Sequence, residues 1–302
     1  MEHHLIRKDI KKCETITYHS DFLLFSGKKI HSCSKHGGPL ATYPEVKPFL
    51  HEIARLPNGK LLVDDGNGVQ HILDLSKGIV LMSQKITKKR MCPSRFAIST
   101  DNCSAFRVWC WGEKWDLLKM NLSDLSYQIY DYPASLRFVG DIIVTSSNEI
   151  LVLESQIEND GTCTNLVSSV SLENSYCSVT PIYQWTGNRV GKYFDGRYVL
   201  ESQYWIRDLK TGDCFNLLEN SNISLPDNHR ALSHIYDSEN NCLQLIDHKQ
   251  TWYIDCGKRD IIARYRRDTR EPAFIGTRVG NEFWFGKNDG IYASSFPVIE
   301  DI

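Results

Sequence analysis

One short phrase recurs along this chain, and its spacing constrains the fold more than any other feature. In each copy a strand-like run ends in Asp or Asn, a polar turn follows, and a second apolar run leaves the turn. The residues that open these turns are Asp74, Asn121, Asp208 and Asp255, separated by 47, 87 and 47 residues. Counting the longest gap as two units gives an interval of about 40 to 50 residues, which is typical of propellers made of four-stranded units.

The residue types in the phrase explain why the chain turns there. An Asp or Asn side chain caps a turn by accepting backbone N–H groups, and Gly78 and Gly212 are free to adopt positive φ. Short β-branched and aromatic runs separated by Gly, Asn, Asp and Ser fill the rest of the chain, and sustained helical periodicity is missing. We therefore predict an all-β fold.

The spacing predicts one β-propeller domain over residues 1–302, with seven four-stranded blades. The expected blades cover residues 13–48, 49–91, 94–133, 134–184, 185–225, 229–269 and 272–302. The last blade has too few strands, so we expect the N-terminal segment 5–10 to supply its outer strand and close the ring. Such closure pairs the chain ends and removes exposed sheet edges.

The clearest copy of the phrase resembles a known family. Tyr204-Trp205-Ile206 followed by Asp208-Leu209-Lys210-Thr211-Gly212 is similar to the end of the third strand in WD-repeat propellers and in related bacterial repeat propellers. The chain departs from the WD pattern, because no Gly-His dipeptide opens a unit and Trp115-Asp116 lies at the start of a strand. The resemblance implies a propeller and leaves the function open.

Composition indicates a soluble globular protein, with 41% hydrophobic and 24% charged residues. The net charge of -2 argues against a globally basic nucleic-acid binder. The sequence contains no apolar run long enough for a membrane-spanning helix and no apolar segment typical of a signal peptide, so we expect a cytoplasmic protein, with a mature form that has lost its leader as the alternative. The ten cysteines include no C-x-x-C pair, which favours free thiols.

Contiguous catalytic motifs are missing from the sequence. The Gly66-Asn67-Gly68 segment lacks the third glycine of a dinucleotide-binding loop and is interpreted as a hairpin turn. The adjacent Asp64 and Asp65 would face opposite sides of a strand, so we interpret them as turn-capping residues rather than a catalytic pair. We predict no catalytic residue and no cofactor.

A small group of potential metal ligands lies near the N-terminus. His31, Cys33 and His36 fall within six residues, but their spacing matches no recognised zinc finger. We interpret them as strand and loop residues and predict no metal site.

Two basic clusters are the candidate partner-binding residues. They lie in the connection between the second and third units and at the end of the sixth, and they consist of Lys88, Lys89, Arg90, Arg264, Arg266, Arg267 and Arg270. Peripheral strands and their connections are exposed, so these residues would form positive patches for another protein or for an anionic partner such as RNA or phospholipid. A simple solvated rim is the alternative.

These observations predict a non-catalytic protein–protein interaction scaffold or a subunit of a larger complex. Two alternatives stay open at the level of the sequence. One is a propeller hydrolase or lyase with its site at the mouth of the central channel, and the other is a propeller that binds a glycan or small ligand on Trp or Tyr platforms.

Overall fold

The computed structural model describes most of the chain and contains only β-strands. The described residues are 4–13, 15–48, 50, 52–65, 67–86, 94–111, 114–133, 137–160, 162–187, 195–201, 205–216, 233–237, 242–246, 250–258, 260–266, 276–287 and 289–295. Over these ranges no helix occurs, which confirms the all-β prediction. Accordingly, no described helix is long and apolar enough to cross a membrane.

The strands follow the chain as meanders, which are runs of neighbouring antiparallel strands numbered here I to VII. The first strand is β1 (His4–Arg7). Meander I contains β2 (Thr15–His19), β3 (Phe22–Ser26), β4 (Ile30–Ser34) and β5 (Ala41–Thr42). Meander II contains β6 (Glu52–Leu56), β7 (Lys60–Asp64), β8 (Val69–Asp74) and β9 (Ile79–Lys85). Meander III contains β10 (Ala97–Ile98), β11 (Ser104–Trp111), β12 (Lys114–Asn121) and β13 (Tyr127–Tyr132).

The second half of the chain continues in the same way. Meander IV contains β14 (Arg137–Val144), β15 (Ile150–Ile157), β16 (Cys163–Glu173) and β17 (Tyr176–Gly187). Meander V contains β18 (Tyr198–Leu200), β19 (Trp205–Asp208) and β20 (Cys214–Asn216). Meander VI contains β21 (Ser233–Asp237), β22 (Cys242–Ile246), β23 (Gln250–Asp255) and β24 (Asp260–Arg266). Meander VII contains β25 (Thr277–Val279), β26 (Glu282–Gly286) and β27 (Ile291–Ser295), together with β1.

These meanders form six small sheets. Meanders III and IV share one eight-stranded sheet, which is joined by a parallel bridge between Asp131 of β13 and Tyr176 of β17. This sheet is nearly closed, because β10 and β14, at the two ends of its strand order, contact each other. Meander V has three described strands where four were predicted, and residues 188–194, 202–204 and 217–225 of the predicted unit lie outside the described residues.

The recurring turns are built as the sequence predicts. The Asp74 carboxylate accepts hydrogen bonds from the Ser76 hydroxyl (2.6 Å) and the Lys77 backbone N–H (3.1 Å). The Oδ1 atoms of Asn121, Asp208 and Asp255 likewise accept backbone N–H groups two residues further along the chain. The turn-capping prediction is therefore confirmed at all four positions.

The apolar core lies between meanders rather than within one sheet. Leu62 of meander II and Leu118 of meander III share a cluster, and Val108 of meander III shares the next with Ile142 of meander IV. The full set of described clusters joins I to II, II to III, III to IV, IV to V, V to VI, VI to VII, and VII to I. Among the described residues, each meander therefore shares apolar clusters with two others in this series.

The N-terminal segment belongs to the last sheet. β1 pairs antiparallel with β27, with His4 opposite Ala293 and Leu5 opposite Tyr292. The pairing predicted for the N-terminal segment is confirmed, although the strand covers residues 4–7 rather than 5–10. Ile10 follows the end of β1 and is buried in the cluster shared by meanders VII and I.

Candidate interaction surface

The basic residues predicted to bind a partner are only partly described by the structure. Arg264 and Arg266 lie on β24, an edge strand of the sheet of meander VI, opposite Trp252 and Gln250 of β23. The other predicted residues lie outside the described residues, and they are Lys88, Lys89, Arg90, Arg267 and Arg270.

The two adjacent aspartates have separate roles. Asp65 caps its turn as predicted, accepting the backbone N–H groups of Asn67 (3.0 Å) and Val69 (3.3 Å). For Asp64 the turn-capping interpretation is wrong. It lies on the other face of β7, where its carboxylate forms a buried ion pair with Arg107 of meander III.

The candidate metal ligands do not converge in the described structure. His31 Nδ1 lies 3.0 Å from the Thr42 hydroxyl, and Cys33 is buried further along the same strand. Across the ranges that the structure describes, no group of three or more His, Cys, Asp or Glu side chains is arranged to hold a metal ion.

The structure instead presents an exposed aromatic surface where meander IV meets meander V. We call it the aromatic patch and define it by Ile182, Tyr183, Trp185, Trp205 and Arg207. A bulge in β17 leaves Ile182 without an opposite residue on β16, and Ile182 and Tyr183 are 44% and 40% exposed. A bulged residue bends its strand and turns nearby side chains outward, which explains why these two apolar residues meet solvent.

Trp185 is the fixed centre of the aromatic patch. It follows Tyr183 by two residues on β17, so the two side chains share the face that looks towards meander V. The indole N–H of Trp185 donates to Glu201 Oε1 (3.1 Å), and the guanidinium of Arg207 lies 5.7 Å from the centre of its ring. These contacts hold the ring in one orientation.

Glu201 organises the groups beneath the aromatic patch. Its buried carboxylate accepts Arg207 Nε at 2.7 Å and Arg207 Nη2 at 3.1 Å, as well as the Cys214 thiol at 3.1 Å. The hydrogen bond to Glu201 raises the pKa of Arg207. Burial, and then the bond to Glu201, raises the pKa of Cys214 to about 11, so this thiol stays protonated at neutral pH. The charges of Glu201 and Arg207 therefore offset each other, and the exposed side chains around them are mainly aromatic.

Trp205 completes the aromatic patch from meander V. It lies two residues before Arg207 on β19, so both side chains leave the same face of that strand. Its neighbour Ile206 points the other way into the cluster shared with meander VI, whereas Trp205 is 45% exposed. A Trp this exposed on a strand with a buried neighbour is a surface feature and contributes little to the core.

The aromatic patch was not predicted from the sequence, although one residue gives a signal for it. Pro181 cannot donate a ladder hydrogen bond, so a strand that contains it is expected to be unpaired or bulged at that point. Tyr183 and Trp185 follow Pro181 on β17, beyond the single bridge at Tyr176 that joins this strand to β13.

No protein-family model matches the chain, and no curated protein matches it.

Proposed function

We propose that the seven meanders form a closed ring, which would be a seven-bladed β-propeller. The support is the pairing of the apolar clusters, each shared by two successive meanders, with the cluster of Phe25 and Trp284 joining the last meander to the first. A four-stranded unit cannot bury both of its faces alone, and a ring is the arrangement that gives every unit two neighbours. An electron cryomicroscopy reconstruction showing a sandwich or two separate lobes would overturn the ring.

The function that the surface supports best is docking of a partner protein on the aromatic patch. The observation that carries this proposal is the exposure of Tyr183 and Trp205 beside a Trp185 that is held in place by Glu201 and Arg207. Tyr, Trp and Arg are the residues most enriched at energetic hot spots of interfaces. The contacts that hold Trp185 and Arg207 in place would reduce the entropy that these two side chains lose when a partner binds.

The basic clusters complete this proposal as a second contact zone. Arg264 and Arg266 lie on the outer strand β24, and outer strands border the rim of such a ring. Charge there would steer an acidic partner surface and mainly change the rate of association. Charge reversal at Arg264, Arg266, Arg267 and Arg270 should therefore weaken binding, with a larger effect at low ionic strength.

The test compares two surface variants of the tagged full chain in its native host. Y183A/W205A removes the exposed rings of the aromatic patch, whereas Y127A/I129A removes equally exposed side chains of β13 and is the matched control. We expect a stoichiometric partner to co-elute with wild type and control and to be lost from Y183A/W205A, with a Kd at least about 30-fold higher in purified components. Equal partner recovery with all three proteins, or a wild-type chain that elutes alone, would refute the proposal.

Glycan binding is the second candidate, because Tyr183 and Trp205 also resemble sugar-stacking platforms. One observation favours a protein partner. Sugars stack on free ring faces, and the guanidinium of Arg207 lies over the ring of Trp185. A glycan array probed with wild type and with Y183A/W205A distinguishes a protein partner from a glycan ligand. A glycan that binds wild type but not Y183A/W205A would favour the glycan ligand.

A further inference from the structure

A serine, a histidine and an aspartate form a hydrogen-bonded chain across meander II, far from the aromatic patch in sequence. Ser83 Oγ lies 2.8 Å from His71 Nδ1, and His71 Nε2 lies 3.4 Å from Asp65 Oδ2. Asp65 and His71 are buried, whereas Ser83 is exposed. An exposed hydroxyl connected in this way to a buried acid is the arrangement of an activated nucleophile.

Strand register brings the three residues together. Ser83 of β9 lies directly opposite His71 of β8, and Asp65 follows the end of β7. The Ile86 N–H donates to the Gly68 carbonyl (2.8 Å), so Gly68 and Ile86 form a hydrogen-bonded pair. Hydrogen-bonded and non-hydrogen-bonded pairs alternate along antiparallel strands, and the His71–Ser83 pair, three positions away, is therefore a non-hydrogen-bonded one. Side chains of such pairs lie closest together, which explains the short contact between the imidazole and the hydroxyl.

The hydrogen bonds to Asp65 define the tautomer of His71. The carboxylate accepts the backbone N–H groups of Lys47, Asn67 and Val69 and is held as an acceptor. Nε2 of His71 must therefore carry the proton that it shares with Asp65, which leaves Nδ1 as an acceptor for the Ser83 O–H. The two ring nitrogens exchange the roles that they have in chymotrypsin-like proteases, but the imidazole is equally able to act as a base.

The sheet edge leaves room for a substrate at Ser83. β9 is the edge strand of its sheet, and in a non-hydrogen-bonded pair the N–H of Ser83 points away from β8. The N–H of a nucleophilic serine is one of the groups that stabilise the oxyanion in serine proteases. Ile79 and Leu81 of the same strand are exposed and supply an apolar surface next to the hydroxyl.

We propose that Ser83 is a nucleophile for acyl transfer from carboxylic esters with an apolar acyl group. The Ser83 oxygen attacks the ester carbonyl carbon while its proton passes to His71 Nδ1. The carbon–oxygen bond to the alcohol then breaks, and the alcohol leaves with the proton from His71. Water, deprotonated by the same imidazole, hydrolyses acyl-Ser83 and releases the carboxylic acid. Ser83 and His71 are the catalytic residues, and Asp65 positions the imidazole.

The first test measures covalent labelling of the full chain with an alkyl fluorophosphonate, which marks activated serines. We expect one adduct, mapped to Ser83 by peptide mass spectrometry and formed about 100-fold or more faster than any adduct at Ser171, an exposed serine on β16. S83A should lose the adduct, and H71Q should lower the rate to that of Ser171. Labelling of Ser83 no faster than Ser171, in wild-type protein, would overturn the proposal.

The role of Asp65 needs a readout that simple loss of structure would not produce. D65N keeps an oxygen to cap the turn but removes the charge that orients His71. We expect the maximal labelling rate of the folded protein to fall at least tenfold, while the half-saturating probe concentration stays as in wild type. An unchanged maximal rate in D65N would show that Asp65 has no positioning role. An apolar p-nitrophenyl ester then tests turnover, and wild-type hydrolysis no faster than that of S83A would refute acyl transfer.

Discussion

Arg107 is buried between meanders II and III, where both polar groups and an aromatic ring contact its guanidinium. Its guanidinium pairs with Asp64, its Nε donates to the Ser94 carbonyl (2.8 Å), and its Cζ lies 4.4 Å from the centre of the Phe96 ring. Removing one partner of a buried ion pair is far more costly than replacing both, because one charge is left without its counter-charge.

We therefore expect R107M to lower the free energy of unfolding by about 3–5 kcal/mol. The double variant D64N/R107M should be destabilised by clearly less than the two single variants added together, because the neutral amide needs no counter-charge. Denaturant unfolding of the four proteins measures the coupling between the two positions. Strictly additive effects would mean that the Arg107–Asp64 pair does not join the two meanders.

Asp74 offers a test of the recurring turn at one atom. D74A removes the oxygen that accepts hydrogen bonds from the Ser76 hydroxyl and the Lys77 backbone N–H. We expect it to lower the free energy of unfolding by about 1–2 kcal/mol. D74N should be nearly neutral, because Asn121 caps the equivalent turn with an amide oxygen. Thermal unfolding at neutral pH compares the three proteins, and equal stability of D74A and wild type would contradict the capping role.

The same residue makes a pH-dependent contribution with a defined sign. Burial alone would raise the pKa of Asp74, but the hydrogen bonds from Ser76 and Lys77 outweigh it and leave the pKa below its ordinary 3.8. A carboxyl whose pKa is lowered by folding makes its full contribution to stability above its ordinary pKa, here 3.8. This contribution is lost as the pH falls through the lowered pKa of the folded protein. Wild type should therefore lose stability relative to D74N only below about pH 3.8, measured by denaturant unfolding at constant ionic strength.

At the scale of the elements, two glycines of the same turn phrase separate backbone strain from packing. Gly78 and Gly212 have similar positive φ values of 67° and 79°. A Cβ on Gly78 would lie 2.5 Å from the Ala41 Cβ of meander I, whereas a Cβ on Gly212 would meet nothing within 4 Å. We expect G212A to lower the free energy of unfolding by about 1 kcal/mol, because of the unfavourable φ alone. G78A should lower it by more, because the added Cβ also collides with Ala41.

The double variant G78A/A41G provides the control for that comparison. It relieves the contact between meanders I and II but keeps the unfavourable φ, so its stability should return towards that of G212A. Equal stability of G78A and G212A would show that the turn of meander II does not pack against meander I.

The same scale shows which parts of the fold were predictable. The interval between Asp74, Asn121, Asp208 and Asp255 was sufficient to predict strands, turns and the antiparallel order, because turn capping is a local property of the sequence. The relation between meanders was not predictable in detail, because it depends on side chains such as Arg107 that pair with a residue 43 positions away.

Bulges explain why both surface sites escaped sequence reasoning. Counting back from the turn after Asp74 would place Met82 opposite His71, but a bulge in β9 shifts the register by one and places Ser83 there. A second bulge, in β17, exposes Ile182 and Tyr183. A bulge adds one residue to one strand. No local residue pattern identified the bulge in β9, whereas Pro181 stands next to the bulge in β17.

At the scale of the whole molecule, the N-terminal segment connects the last meander to the first. β1 pairs with β27, and the Arg7 guanidinium donates to the Gly38 carbonyl of the turn region after β4 (3.1 Å). The backbone at Arg7 also approaches Gly290, just before β27, closely. A side chain at position 290 would prevent this approach, because its Cβ would lie 2.5 Å from the Arg7 carbonyl oxygen. Ile10 then enters the apolar cluster between meanders VII and I. The segment therefore covers both a sheet edge and an apolar surface.

Deleting residues 1–12 should lower the melting temperature sharply or cause aggregation, because it exposes the edge of β27 and opens the cluster around Ile10. Differential scanning calorimetry and light scattering measure the two outcomes. A synthetic peptide of residues 1–12 added in trans should raise the melting temperature of the truncated protein in a concentration-dependent way, since it binds only the folded state. A scrambled peptide is the control, and it should have no effect. If the truncated protein melts like the full chain, the N-terminal segment does not join the two ends of the series, and the proposed ring loses the contact that closes it.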